Sequence, residues 1–453
     1  MTTTTDIAKR MGIVSLAWPI FIETTLRMLL GVSDVFMLSG YSDNAVAAVG
    51  LTSQLMFFLM IVAMTAGNGG SILISQSNGA SDTQRAADVG VISIVVGGAV
   101  GAILSLLTGL FAPNVIGLFG LDSKVALYAT QYFAIAGGGF FGLSLSLTFA
   151  VILRCHGYSR TPMLVNLFTG VLNIVGNYCV LYSPFDLPVY GVKGVATATI
   201  ISQFVGAFIL WVNIRQKGIE IPLGRWFKID LALYKKTIKL GAMSASEMLS
   251  YNLAQMTLIY IITQMGTASL TAYTYAMNIA RFSFAFSLSV GQAAQIQTGY
   301  YVGKQWIAEI TRKVQQYFLV SLLMSLLATL LIAGFRFDIL GLFTDNNEII
   351  TLAATLLIVS IVLEMGRVFN LVFINALRGA GDMTYTVKVG IFSMWTIAVG
   401  MGYFLGLHIG LGVLGIWFAN AADEWFRGLL MARRWRSGKW HLPSLVENQP
   451  IAA

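Results

Sequence analysis

Twelve apolar stretches follow one another along the 453 residues, at 13–39, 46–75, 87–113, 127–152, 161–182, 191–214, 236–264, 271–300, 311–341, 350–377, 384–408 and 410–431. Each is long enough to cross a bilayer core, which takes about 20 residues of helix. Lipid cannot satisfy an open backbone, so helices are the expected spans. Barrel strands would be half as long and would alternate polar with apolar residues. With 57% hydrophobic and 11% charged residues, the composition suits an all-α polytopic membrane protein of 12 transmembrane helices.

The start, "MTTTTDIAKRMG", is polar, and the apolar run behind it is too long for a cleavable signal core. Cys155 falls in an expected loop and Cys179 in a span, so no disulfide is expected. The net charge of +8 follows topology and gives no reason to expect a nucleic-acid partner. With both termini cytoplasmic, 22 of the 28 Lys and Arg residues fall on inner segments. Only Lys124, Lys193 and Arg336 fall outside, and Arg27, Arg281 and Arg367 lie within spans. That bias satisfies the positive-inside rule. The expected location is the cell membrane.

The polar stretch 215–235 divides the chain into lobes 1–214 and 236–437, with a polar tail 438–453. The halves are self-similar. At an offset of 224, Glu23 meets Glu247, Gly67 meets Gly291, Gly79 meets Gly303, Arg154 meets Arg378 and Gly157 meets Gly381. "LRCHG" lies opposite "LRGAG". Six spans per half give both halves the same orientation, hence two pseudo-symmetric six-helix bundles. Duplicated bundles are common in secondary transporters. The abundant span glycines fit close helix packing.

An ionisable residue inside a span marks a candidate site. At 100° per residue, Arg27 lies about 40° and Asp34 about 20° from Glu23, so all three share one face. Glu23 and Arg27 are spaced i, i+4 and are expected to pair. Asp34 has no cation at i±3 or i±4. An acid so placed is costly to keep charged and can carry a proton or hold a cation. In the fifth span, Asn166, Asn173 and Asn177 form one stripe about 40° wide. Their expected use is helix-to-helix hydrogen bonding or an oxygen-lined ion site facing the first span. Thr197 and Thr199 in the sixth span add hydroxyls.

The repeat is an internal control. The mates of Asp34, Asn173 and Asn177 are Leu258, Ile397 and Met401. The polar stripe exists in one half only, which places the cation- or proton-coupling site there: Asp34, Asn173, Asn177, Thr197 and Thr199. In the second half, Glu247 has Tyr251 where Glu23 has Arg27. With Arg281 as its partner it would be structural. Without one, Glu247, Tyr251, Asn252 and Gln255 form a candidate surface for a cationic substrate. Glu364 with Arg367, and Asp423 with Arg427, read as structural ion pairs, with Glu424 nearby. No paired-cysteine metal motif, phosphate loop or nucleophile elbow is present. The chain reads as no enzyme, with no cofactor and no structural metal.

Taken together, "AWPIFIE", "SDVFMLSGYSDNAVAAVG", "ILISQSNGA", "LRCHGYSRTPM", "GVKGVATATIISQ" and "LRGAGD" resemble the multidrug and toxic compound extrusion (MATE) family over nearly the whole chain. The resemblance implies a V of two bundles around a central cavity. It also implies export of amphipathic cationic small molecules by antiport with H+ or Na+. It places a coupling acid at Asp34, an Asn at Asn173 and a Thr at Thr197 or Thr199. Asn177 stands where family members carry an Asp. Losing that acid weakens a Na+ site more than a proton site, so H+ is the expected coupling ion, with protonation of Asp34 driving substrate release. Pro19 matches a first-helix proline that acts as a hinge in some members, since proline frees a carbonyl one turn earlier. Arg367 stands where some members have an Asp. The alternatives are a lipid-linked precursor flippase, for which the spans hold few cations, and a non-transporting scaffold or receptor. The expected partners are small cations and membrane lipid, with the protein a monomer.

Overall fold

The computed structural model of the chain describes residues 11–182, 184 and 189–441, and of residues 28–35 the helical backbone alone. Twelve long helical segments account for most of it. They are α1 (Ile13–Ser39), α2 (Asp43–Gly79), α3 (Thr83–Gly117), α4a (Ser123–Gly138) with α4b (Phe140–Cys155), α5 (Arg160–Tyr182) and α6 (Gly191–Gln216). The second half adds α7 (Leu231–Thr263), α8 (Thr267–Gly303), α9 (Ile307–Gly334), α10 (Asn347–Ala380), α11 (Met383–His408) and α12 (Gly412–Arg436). No strand occurs among the described residues. Among the described residues, seven helices are long and apolar enough by themselves to span a membrane, and the bent α4 pair taken as one span is an eighth.

α2, α3, the α4 pair, α8 and α10 outrun their apolar stretches at both ends, because polar turns continue the backbone ladder. Where a helix departs from regularity, the sequence shows why. Residues 127–152 read as one span, yet α4a and α4b meet at a 47° bend. The bend falls at Gly139, the last of three glycines. A Cβ at Gly137 would collide with Thr108 of α3, and one at Gly139 with Ile200 of α6. The missing side chains let three helices close on that point. α11 runs partly as wide π-type turns, over Met394–Met401 and Phe404–His408.

The repeat is visible in caps. α4b and α10 both end in a left-handed glycine, Gly157 (φ +81°) and Gly381 (φ +98°). In each, the glycine N–H donates to the arginine carbonyl three residues back, Arg154 or Arg378. The next N–H, of Tyr158 or Asp382, reaches back to Leu153 or Leu377. A Cβ would be strained at either glycine. Asp82 caps α3 through the Arg85 N–H, and Asn346 caps α10 through Glu348 and Ile349.

Two compact units emerge. Among the described residues, the first comprises Ile22–Ile74 and Asp82–Ala245 with Met11, and the second comprises Gly12–Phe21, Ser75–Ser81 and residues 246–441. In the first, both α3 and α6 pack along α4a and α4b, and α5 lies against α6. In the second, α10 is the axis, packed by α8, α9 and α12. α4 and α10 are repeat mates. Each unit has its own apolar core, one around Val49, Tyr132 and Val195, the other around Leu258, Leu357 and Trp417. α1 contributes to both units, changing from one to the other between Phe21 and Ile22, two residues past Pro19.

Within the second unit, the end of α2 crosses the end of α8 through reciprocal glycines. A Cβ at Gly79 would fall on the Tyr300 carbonyl, and one at Gly303 on the Gln76 carbonyl. The Gln76 side chain also donates to the Gly379 carbonyl at 2.9 Å. Backbone cannot yield as a side-chain tip does. Gly303→Ala is expected to destabilise the protein by about 2 kcal/mol, the usual cost of overpacking. A thermal ramp followed by size-exclusion chromatography checks it, and an unchanged profile would show that the crossing has slack.

Candidate functional site

Four helices of the first unit surround a cavity of about 170 Å³. α1 supplies Glu23 and Arg27, α5 supplies Asn166 and Asn173, and α6 supplies Thr199 and Gln203. Their helical spacing explains the convergence. Glu23 and Arg27 are one turn apart, as are Thr199 and Gln203, and Asn166 and Asn173 are two turns apart, so each helix offers one polar edge.

Glu23 is the anchor and is only 3% exposed. Its Oε1 accepts from Arg27 Nη2 at 2.9 Å and from Asn166 Nδ2 at 2.7 Å. Its Oε2 accepts from Arg154 Nη2 at 2.5 Å. One buried carboxylate thus holds two guanidiniums. They differ in exposure: the Arg154 side chain is 16% exposed and that of Arg27 46%. Beside this cluster runs an amide relay. Asn177 Nδ2 donates to Asn173 Oδ1 at 3.3 Å, and Asn173 Nδ2 donates to Thr199 Oγ1 at 3.2 Å. Thr199 in turn donates to the Val195 carbonyl of its own helix. Gln203 Oε1 is buried on the cavity wall with no hydrogen-bond partner among the described residues.

The expected coupling residues therefore separate. Asn173, Asn177 and Thr199 come together, with Asn177 fully buried behind Asn173. Thr197 does not join them. It is exposed and bonds back to the Lys193 carbonyl, because two residues of helix turn it away from Thr199. The side chain of Asp34 lies outside the described residues.

In the second unit, the expected substrate-facing group does not form one surface. Glu247 is buried and paired with Arg378; Arg281, weighed from the sequence as its partner, is exposed. Asn252 is spent on the Met248 carbonyl of its own helix. Gln255 accepts from the Tyr273 hydroxyl. Tyr251 is half-buried. The two expected ion pairs on α10 and α12 prove to be one network. Arg367 donates to Glu364 at 2.6 Å and to Glu424 at 3.3 Å. Arg427 pairs with both Asp423 and Glu424. Asn370 holds Glu424 at 2.8 Å, and Ser393 of α11 holds Asp423 at 2.5 Å.

Sequence reasoning missed Arg154, Arg378 and Gln203 as site residues. By position along the chain the two arginines are inner-side charges near the ends of spans. Yet Glu23 and Arg154 recur as Glu247 and Arg378 at the same offset, and an acid and a base duplicated together are the signature of a pair. Gln203 follows Thr199 by one turn.

Comparison with known proteins bears on the family and the fold. The MatE family profile matches the chain twice, over residues 19–179 and 244–404, once in each half. The chain is 38% identical to the "uncharacterized transporter YisQ" of Bacillus subtilis, over 95% of both chains. It is 26% identical to the "probable multidrug resistance protein NorM" of Thermotoga maritima, covering 98% of this chain and 95% of the relative. Among solved structures it superposes on a MATE protein in a bent conformation with a TM-score of 0.86, at 22% identity and 97% and 99% coverage. An outward-facing multidrug resistance MATE family transporter gives 0.86 at 23% identity, with 97% and 100% coverage. These likenesses support the two-bundle fold. With the family profile covering most of both halves, the chain belongs to the MatE family of multi-pass membrane transporters and is not an enzyme.

Proposed function

We propose that the protein exports amphipathic organic cations from the cell by antiport with H+, and that the first-half site couples the two fluxes. It works in the cell membrane as a monomer with both termini cytoplasmic. The observation that carries this reading is the one-sidedness of the asparagine stripe on the cavity wall. Glu23, Asn166, Asn173 and Thr199 converge in the first unit. Their half-repeat counterparts include Gly390 for Asn166 and Ile397 for Asn173, and the mate of Asp34, Leu258, is buried in an apolar core. The second half spends its buried polar groups on the Glu247–Arg378 pair and the α10–α12 ion network, so the asparagine stripe of α5 is what the first half has in addition.

Asp34 shares a helix, and by its spacing a face, with Glu23. Protonation from outside would neutralise it and weaken the hold on a bound cation, releasing the cargo. Loss of the proton to the cytoplasm would reset the site. Such coupling works only to the extent that the proton changes cargo affinity between states. Na+ is the lesser alternative, because the fifth helix offers the carboxamides of Asn173 and Asn177 and no carboxylate to balance the ion's charge.

The test is ethidium flux in proteoliposomes, with a pH gradient and a Na+ gradient imposed separately. Wild type should respond to the pH gradient, and Asp34→Asn should lose nearly all of that response. A response to Na+ alone would overturn the coupling ion. An Asp34→Asn variant as active as wild type would overturn the role of Asp34.

A further inference from the structure

The half-repeats separate what the fold requires of Glu23 from what has been added to it. In both units a buried α1- or α7-borne glutamate is held by the last arginine of α4b or α10, Glu23 by Arg154 and Glu247 by Arg378. That pair is the common element. Around Glu247 the other two positions are Tyr251 and Gly390, and a Cβ at Gly390 would sit 3.1 Å from Glu247 Oε1. Around Glu23 the same two positions are Arg27 and Asn166, and both donate to Oε1. A buried glutamate in this fold is thus balanced by one guanidinium, and Glu23 carries a second.

We propose that Arg27 is a tethered stand-in for the cargo's cationic group: it occupies Glu23 Oε1 when the cavity is empty and is displaced when an N–H-bearing organic cation, a guanidinium or an ammonium, enters. The inference rests on the proposed organic-cation export and narrows its substrate class. Three observations carry it. Arg27 lines the cavity and is nearly half exposed, so it can leave without opening the protein, whereas Arg154 is mostly enclosed. Exchanging one monovalent cation for another keeps Glu23 Oε1 paired throughout, which avoids leaving an uncompensated carboxylate within the membrane. Oε1 is bound by N–H donors, Arg27 Nη2 at 2.9 Å and Asn166 Nδ2 at 2.7 Å, so a replacement must bring its own N–H to avoid leaving the oxygen short of a partner. A quaternary cation has none.

The displaced guanidinium does more than vacate a site. As an intramolecular competitor it keeps cargo affinity modest and returns to Glu23 when the cargo leaves. Affinity for a site that is open only part of the time falls by the open fraction.

The experiment is equilibrium binding to purified protein in detergent, without any gradient, using octylguanidinium and tetraphenylphosphonium as probes. If Arg27 occupies Glu23 about nine-tenths of the time, Arg27→Met should bind octylguanidinium about tenfold more tightly than wild type. Arg27→Lys, which keeps a tethered N–H cation, should stay near wild type. Tetraphenylphosphonium should gain little in Arg27→Met. In wild type, where folding of a variant is not in question, octylguanidinium should speed phenylglyoxal modification of the peptide carrying Arg27. Arg27→Met binding octylguanidinium no more tightly, or Arg27 becoming less reactive on binding, would overturn the displacement. An equal gain for tetraphenylphosphonium would overturn the N–H requirement. Failure of the export reading itself would appear elsewhere, as absence of gradient-driven flux by wild type in liposomes.

Discussion

Arg367→Met is expected to destabilise the protein by about 3–5 kcal/mol, the range for removing one partner from a buried ion pair. Arg367 is the bridge between α10 and α12, donating to Glu364 and Glu424 while its guanidinium lies 4.5 Å from the centre of the Phe284 ring. Glu364, Glu424 and Asp423 are each no more than 5% exposed, and Arg427 is 3% exposed. Taking away Arg367 leaves three buried carboxylates facing one guanidinium. Methionine fills the volume of the arginine stem but supplies none of its hydrogen bonds and no cation over Phe284. The measurement is a thermal ramp in detergent read by size-exclusion chromatography. Glu364→Gln in the Arg367→Met background should recover part of the loss, because Glu364 depends on Arg367 while Glu424 keeps Arg427 and Asn370. A single variant as stable as wild type would mean that the network is a hydrated cluster in which no pair carries weight.

The same residues show how far a sequence carries. Glu364 with Arg367, and Asp423 with Arg427, are each within one turn of helix, so their pairing is local and was expected. That α10 and α12 join them into one network depends on helix packing, which no spacing along the chain encodes. The twelve helical segments were legible as successive apolar runs, of which seven and the bent α4 pair are apolar enough by themselves to span a membrane among the described residues. The bend at Gly139 was not, because three glycines permit a kink without requiring one. It is the closeness of Thr108 and Ile200 that uses them. The half-site stripe of Asn173 and Asn177 followed from periodicity, and their relay to Thr199 selects between two threonines that the sequence left equal. The long-range contacts of Glu23 and Glu247 came from elements 131 residues away. They were readable only through the repeat, where acid and base recur at one offset.

Those two contacts also carry the second large effect, and it should be unequal between the halves. Arg378→Met removes the one cation that pairs with Glu247 among the described residues, and Glu247 is only 4% exposed. The expected loss is about 3–5 kcal/mol, as for any buried charge left alone. Arg154→Met leaves Glu23 with Arg27 and Asn166 still on Oε1, so only Oε2 loses its partner. Its cost should be nearer 1–3 kcal/mol, the penalty of one unsatisfied buried polar atom. The order can be inverted by design. Adding Arg27→Met to Arg154→Met strips Glu23 of both guanidiniums, and the double variant should fall to the level of Arg378→Met or below. Glu23→Gln in that background should restore much of the stability, because a neutral amide needs no counter-charge. Thermal unfolding of the four variants side by side decides it. Equal losses in Arg154→Met and Arg378→Met would show that Arg27 gives Glu23 no support, and that its place at Oε1 is energetically idle.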